Sequence, residues 1–103
     1  MFARIARFEG GDPDRFAATR ERIQSEMSAG NAPPGLEGCT EVMMLVDREA
    51  GTGLGITMFD TEEDVRRGDE ALNAMSPGEG SGRRSSVEIY EVALRATPGA
   101  APH

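Results

Sequence analysis

The stretch from Glu41 to Phe59, EVMMLVDREAGTGLGITMF, constrains the fold more than any other part of the chain. Two short apolar runs flank the segment from Asp47 to Gly53, which is polar and carries glycines that permit positive φ. That arrangement predicts a β-hairpin. In its first strand Thr40, Val42, Met44 and Val46 fall on one face, and Cys39, Met43 and Leu45 on the other. In its second strand Leu54, Ile56 and Met58 oppose Gly55, Thr57 and Phe59. Apolar residues thus stand on both faces, whereas a strand with one solvated face alternates apolar with polar. The hairpin asks for cover on both sides.

The rest of the chain arranges itself around this hairpin. Phe2 to Phe8 reads as a strand, with Ala3 and Ile5 on one face and Phe2, Arg4, Ala6 and Phe8 on the other. Asp12 followed by Pro13 is a helix start, the carboxylate accepting from free N–H groups and proline needing no donor there. The helix is expected to run to about Met27, with Phe16, Ile23 and Met27 inward, and Gly30 as a left-handed cap. Asp60 or Thr61 opens a second helix, in which Val65, Leu72 and Met75 form the buried stripe, and Pro77 with Gly78 ends it. A polar loop from Gly78 to Ser86 leads to a last strand over Val87 to Leu94.

The element order is β-α-β-β-α-β. Right-handed crossovers convert it into an α+β, ferredoxin-like fold: a four-stranded antiparallel sheet with two helices on one face. The helices leave the second face of the hairpin bare, a large apolar patch for a monomer. The predicted cover is a second copy, giving a homodimer through the sheet face that closes into an α+β barrel. Residues 1–95 are expected to form this domain and residues 96–103 a disordered C-terminal tail, small and rich in proline.

Charge and composition remove several function classes. At a net charge of -7 the chain repels a nucleic-acid backbone. Arg83 and Arg84, read as part of a solvated loop, are too few to reverse that. Cys39 is the sole cysteine, so an intrachain disulfide and the usual two-cysteine zinc spacings are out, and no metal site is expected. Arginines interrupt the first residues before any signal-like apolar region, and no apolar run reaches the roughly 18 residues of a membrane span. A cytoplasmic protein is the expectation. Gly51-Thr-Gly-Leu-Gly55 looks like a phosphate loop, but it leads into a strand where a dinucleotide motif opens a helix. Hairpin-turn geometry accounts for it, and no cofactor is expected.

Among candidate site residues, Tyr90 is the sole tyrosine and lies mid-strand. A buried phenol there could donate to a bound carbonyl or enolate as a catalytic group; packing with a backbone bond is the ordinary alternative. Arg4 is a candidate for binding an anionic substrate, against an ordinary ion pair with Glu88 or Glu91. Asn31 and Asn73 could reach a pocket mouth. Met43 and Met58, with Met27, Met44 and Met75, would line a cavity adaptably or serve as core. Cys39 has no histidine near it in sequence to activate it and reads as a buried thiol.

Pro34-Gly-Leu36, the run from Leu45 to Phe59 continuing into Asp60-Thr-Glu-Glu63, and Ser86-Val-Glu-Ile-Tyr-Glu-Val92 together resemble the dimeric α+β barrel group that includes antibiotic biosynthesis monooxygenase-like proteins. The resemblance covers Met1 to about Arg95 and is one of pattern. It implies two ferredoxin-like subunits sharing a barrel and, in some members, a pocket for a small apolar or aromatic molecule between sheet and helices. It further implies a cofactor-independent monooxygenase of the antibiotic-biosynthesis type; a non-catalytic ligand-binding module and a structural homodimer are the alternatives. Haem-degrading relatives use a histidine, a tryptophan and an asparagine. This chain has no tryptophan, and its one histidine is His103, which argues against that activity.

Overall fold

The computed structural model describes residues 1–76, 78 and 80–99, so Pro77, Glu79 and the last four residues, including His103, lie outside the described residues. Six elements follow in the order β1 (Phe2–Glu9), α1 (Pro13–Ser28), β2 (Cys39–Asp47), β3 (Thr52–Phe59), α2 (Glu62–Asn73) and β4 (Arg83–Glu91). The four strands form one antiparallel sheet in the order β2-β3-β1-β4, the ferredoxin-like order expected from the sequence.

Local chemistry sets both helix starts. The Asp12 carboxylate accepts from the backbone N–H groups of Asp14 and Arg15 at 3.0 and 3.3 Å, and Pro13 occupies the first turn of α1. Thr61, not Asp60, caps α2, its hydroxyl accepting from the Asp64 N–H at 3.0 Å. At the end of α1, Gly30 takes φ 75°. Its N–H donates to the Met27 carbonyl while Asn31 N–H donates to that of Glu26, the paired bonds of a Schellman stop.

One face of the sheet carries Phe2, Arg4, Ala6 and Phe8 of β1, paired with Phe59, Thr57, Gly55 and Gly53 of β3. The helices lie on this side. The core is built here at one end, where Phe59 and Val65 are fully buried and Leu36 nearly so, with Phe2, Ala32, Cys39 and Leu72 packed around them. Gly68 lets α2 approach this closely, since a Cβ there would enter the Phe59 ring. The opposite face carries Ala3, Ile5 and Arg7, Leu54, Ile56 and Met58, Met43 and Leu45, and Glu88 and Tyr90. Met43 and Leu45 are each 43% exposed, so the second apolar face of the hairpin is bare in the single chain.

Three sequence expectations need correction. A register shift between Cys39 and Glu41 makes Cys39 the partner of Phe59, so its side chain joins the helix face and not that of Met43 and Leu45. β4 begins at Arg83, four residues before Val87, and stops at Glu91; its polar start is masked in the sequence because an edge strand needs no apolar alternation. α2 ends at Asn73, ahead of Pro77, and Met75 is 37% exposed beyond the helix and not part of a buried stripe.

Candidate functional site

Between α1 and the sheet lies a cavity of about 230 Å3. α1 contributes Phe16, Thr19, Ile23 and Met27; β1 contributes Arg4, Ala6 and Phe8; β2 contributes Val42 and Met44. Gly55 and Thr57 of β3 complete the floor, and Leu72, Met75 and Arg84 close the end beside α2. The cavity follows from a difference in side-chain size. At Phe59 a large ring meets Gly68 of α2 and fills the space between helix and sheet. Along α1 the facing sheet residues are Ala6 and Gly55, which leave the space open. A Cβ at position 55 would come within 3.3 Å of the Phe8 ring and 3.5 Å of the Met44 sulfur. Of the three glycines first explained as turn chemistry, only Gly51 holds a positive φ, at 70°, in the turn; Gly53 and Gly55 belong to β3.

Arg4 is the polar centre of the cavity wall. It stands on a central strand and is 3% exposed. Its Nε donates to Asp69 Oδ1 at 2.8 Å and its Nη2 to Asn73 Oδ1 at 2.8 Å. The ion-pair partner is therefore Asp69 of α2, and not Glu88 or Glu91 of β4. Asp69 and Asn73 are four residues apart on one helix face, which places both carboxylate and amide over the same guanidinium. Arg84 forms a second anchor: its Nη1 donates to the Leu72 carbonyl at 2.8 Å and its Nη2 to that of Met75 at 2.7 Å. A cation thus meets the carbonyl end of α2, whose own last turn has no basic residue. No sequence signal singled out Asp69, and Arg84 was obscured by its polar surroundings.

The remaining candidates fall elsewhere. Met43, Met58 and Tyr90 share the bare face, across the sheet from Arg4 and Asn73, but Met43 and Tyr90 stand on its two opposite edge strands and do not form one cluster. Tyr90 is 51% exposed and its hydroxyl donates to Glu88 Oε2 at 2.6 Å. That hydrogen bond, with the negative charge of Glu88, pushes the phenol above its ordinary value. Of the methionines, Met27, Met44 and Met75 line the cavity. Burial pushes the Cys39 thiol up, which disfavours thiolate chemistry. The Glu37 carboxyl is held below its ordinary value by its own backbone N–H and by that of Gly35, whose nitrogen lies 3.0 and 3.1 Å from the carboxylate oxygens. Among the described residues no cluster of His, Cys, Asp and Glu is arranged to hold a metal, and no helix is long and apolar enough to cross a membrane.

Known structures share this architecture. A substituted MhuD with two manganese protoporphyrin IX molecules bound per active site matches with a TM-score of 0.58 at 14% identity, over 94% of this chain and 99% of that one. A protein of unknown function from Nitrosomonas europaea, NE2512, matches with a TM-score of 0.57 at 22% identity, over 94% and 93%. Rv0793 from Mycobacterium tuberculosis matches with a TM-score of 0.51 at 14% identity, over 93% and 98%. No family model and no curated protein sequence matches the chain. At these identities the likeness is one of fold: the chain has the ferredoxin-like architecture that its resemblance to the antibiotic biosynthesis monooxygenase-like group implied.

Proposed function

We propose that this protein binds a small organic molecule in the cavity between α1 and the sheet, and does so as a homodimer joined through the bare sheet face. One observation carries the binding reading: an open space of about 230 Å3 with mainly apolar walls and a buried guanidinium set in one of them. Ligand sites combine an apolar lining with a few fixed polar groups in this way. Since a cavity of about 150 Å3 accepts benzene, this one suits a molecule of one or two rings. MhuD holds manganese protoporphyrin IX, but a four-ring macrocycle exceeds this volume. The described lining offers an iron no imidazole, thiolate or phenolate, and its methionine thioethers ligate haem only alongside a histidine, so a haem does not fit this site.

The binding test is titration of the purified protein with naphthalene or indole, followed by amide chemical shifts. Saturable binding at one molecule per chain, with shifts centred on Ala6, Ile23 and Val42, is expected. Ile23→Trp should fill the space from α1 and abolish binding at an unchanged urea midpoint. Absence of any saturable shift overturns the reading.

A second reading concerns the bare face. Tyr90 donates to Glu88 at 2.6 Å on the edge strand β4, on the same face as Met58 and Met43 but separated from Met58 by Ala3 of β1, and a second copy on that face would enclose the pair. A cofactor-independent monooxygenase could use that phenol on a phenolic or quinol substrate held between subunits. Oxygen consumption with such a substrate, lost in Tyr90→Phe, supports catalysis; unchanged consumption in that variant removes Tyr90 from the chemistry.

A further inference from the structure

The cavity wall carries a charge pattern opposite to that of the whole chain. The protein is acidic, at a net charge of -7. Yet the described residues lining the cavity include Arg4, Arg22 and Arg84 against a single carboxylate, Glu26, and Asp69 behind Arg4 still leaves one positive charge in excess. The partners of Arg84 are carbonyl oxygens, which carry no formal charge.

Arg4 sharpens this. A guanidinium has five N–H donors, and Asp69 and Asn73 take one each through Nε and Nη2. Three donors remain on a side chain that is 4% exposed and lies on the cavity wall. Among the described residues no buried side-chain nitrogen is left both unpaired and out of reach of accessible space. The two bonds from α2 fix the plane of the fork, so its remaining edge is held in place before any ligand arrives. A fixed fork is suited to a planar oxyanion, and the surrounding low dielectric strengthens that contact relative to water.

We propose that the ligand of this cavity is an organic acid of one or two rings, whose anionic oxygen, carboxylate or phenolate, meets the free edge of the Arg4 guanidinium. This rests on the cavity being a ligand site, as proposed above. Asp69 and Asn73 are positioning residues: they hold the fork from behind and do not touch the ligand. Met27, Met44 and Phe16 surround its rings.

The test compares acids with their neutral derivatives on the full chain. 1-Naphthoate is measured against methyl 1-naphthoate, and 4-nitrophenol against 4-nitroanisole, by calorimetry in mildly alkaline buffer. A charge-assisted hydrogen bond predicts a preference for the acid of about tenfold or more in at least one pair, and the pair with the larger ratio identifies carboxylate or phenolate as the source. In Arg4→Met combined with Asp69→Asn, which removes both charges together, the ratio of acid to neutral affinity should fall to unity, whatever the absolute affinities become. Should that variant fail to fold, the Arg4 Nε–H proton resonance of the unaltered protein must still move with the acid and stay with the ester. Equal affinities within both pairs overturn the acid proposal and leave the cavity reading standing; a preference that survives the double substitution overturns the role of Arg4. Failure of every compound, naphthalene included, overturns the cavity reading itself.

Discussion

Arg4 on β1 and Asp69 on α2 meet at 2.8 Å between Nε and Oδ1, joining the first strand of the chain to its second helix across 65 residues. The arginine is nearly fully buried and the aspartate partly so. Breaking such a pair from one side strands the other charge, at a cost of about 3 kcal/mol. Arg4→Met should therefore lower the urea midpoint at constant m, and the double variant with Asp69→Asn should recover a good part of the loss. A single-variant effect indistinguishable from zero would mean that Asp69 is solvated well enough to need no partner.

Gly68 offers a contest between two known effects. Replacing a mid-helix glycine by alanine favours the helix by about 1 kcal/mol. Against this, the added Cβ would enter the ring of Phe59, which is 0% exposed and cannot move aside. Overpacking of that kind costs about 1–3 kcal/mol, so Gly68→Ala should destabilise the protein. A raised melting temperature would show that α2 can shift away from the sheet.

Arg84→Met should loosen the end of α2 selectively. Two bonds from a charged donor are lost, worth about 1–2 kcal/mol together at a half-exposed site. The expected readout is faster amide exchange over Leu72 to Ala74, with that of Val65 unchanged.

Tyr90 gives a direct optical test, being the sole tyrosine in a chain with no tryptophan. The phenol titrates above its ordinary value of 10.0 because Glu88 accepts its proton in a hydrogen bond and repels the phenolate. The folded value is raised, so this contribution to stability is complete below the unfolded value and is lost as pH rises through the folded one. The ultraviolet titration midpoint should lie above 10.0 and return toward it in Glu88→Gln.

The bare sheet face predicts the assembly. The protein should sediment at twice its 11.0 kDa chain mass, and Leu45→Arg should yield monomers by placing a charge where Met43 and Leu45 are exposed. A monomeric mass for the unaltered chain at micromolar concentration would sink the homodimer.

Much of the fold was legible because local chemistry dictates it. Asp12 with Pro13 and Thr61 with Asp64 cap helices through bonds within three residues, and the alternation through Leu54, Ile56 and Met58 fixes which side of β3 faces out. The bulge at Cys39 was not legible, since one inserted residue reverses a face without altering the pattern around it.

The sequence by itself determined the order of elements, the ferredoxin-like sheet and the existence of a second apolar face, because capping, turn chemistry and strand alternation act between near neighbours. Tertiary structure alone decided the site. Arg4 carries no mark of its partners 65 and 69 residues away, and Gly55 reads like its neighbour in the turn until Phe16 and Ile23 are seen across the gap it leaves open. Contacts between elements depend on how helices settle on a sheet, and a cavity is the space left over when they have.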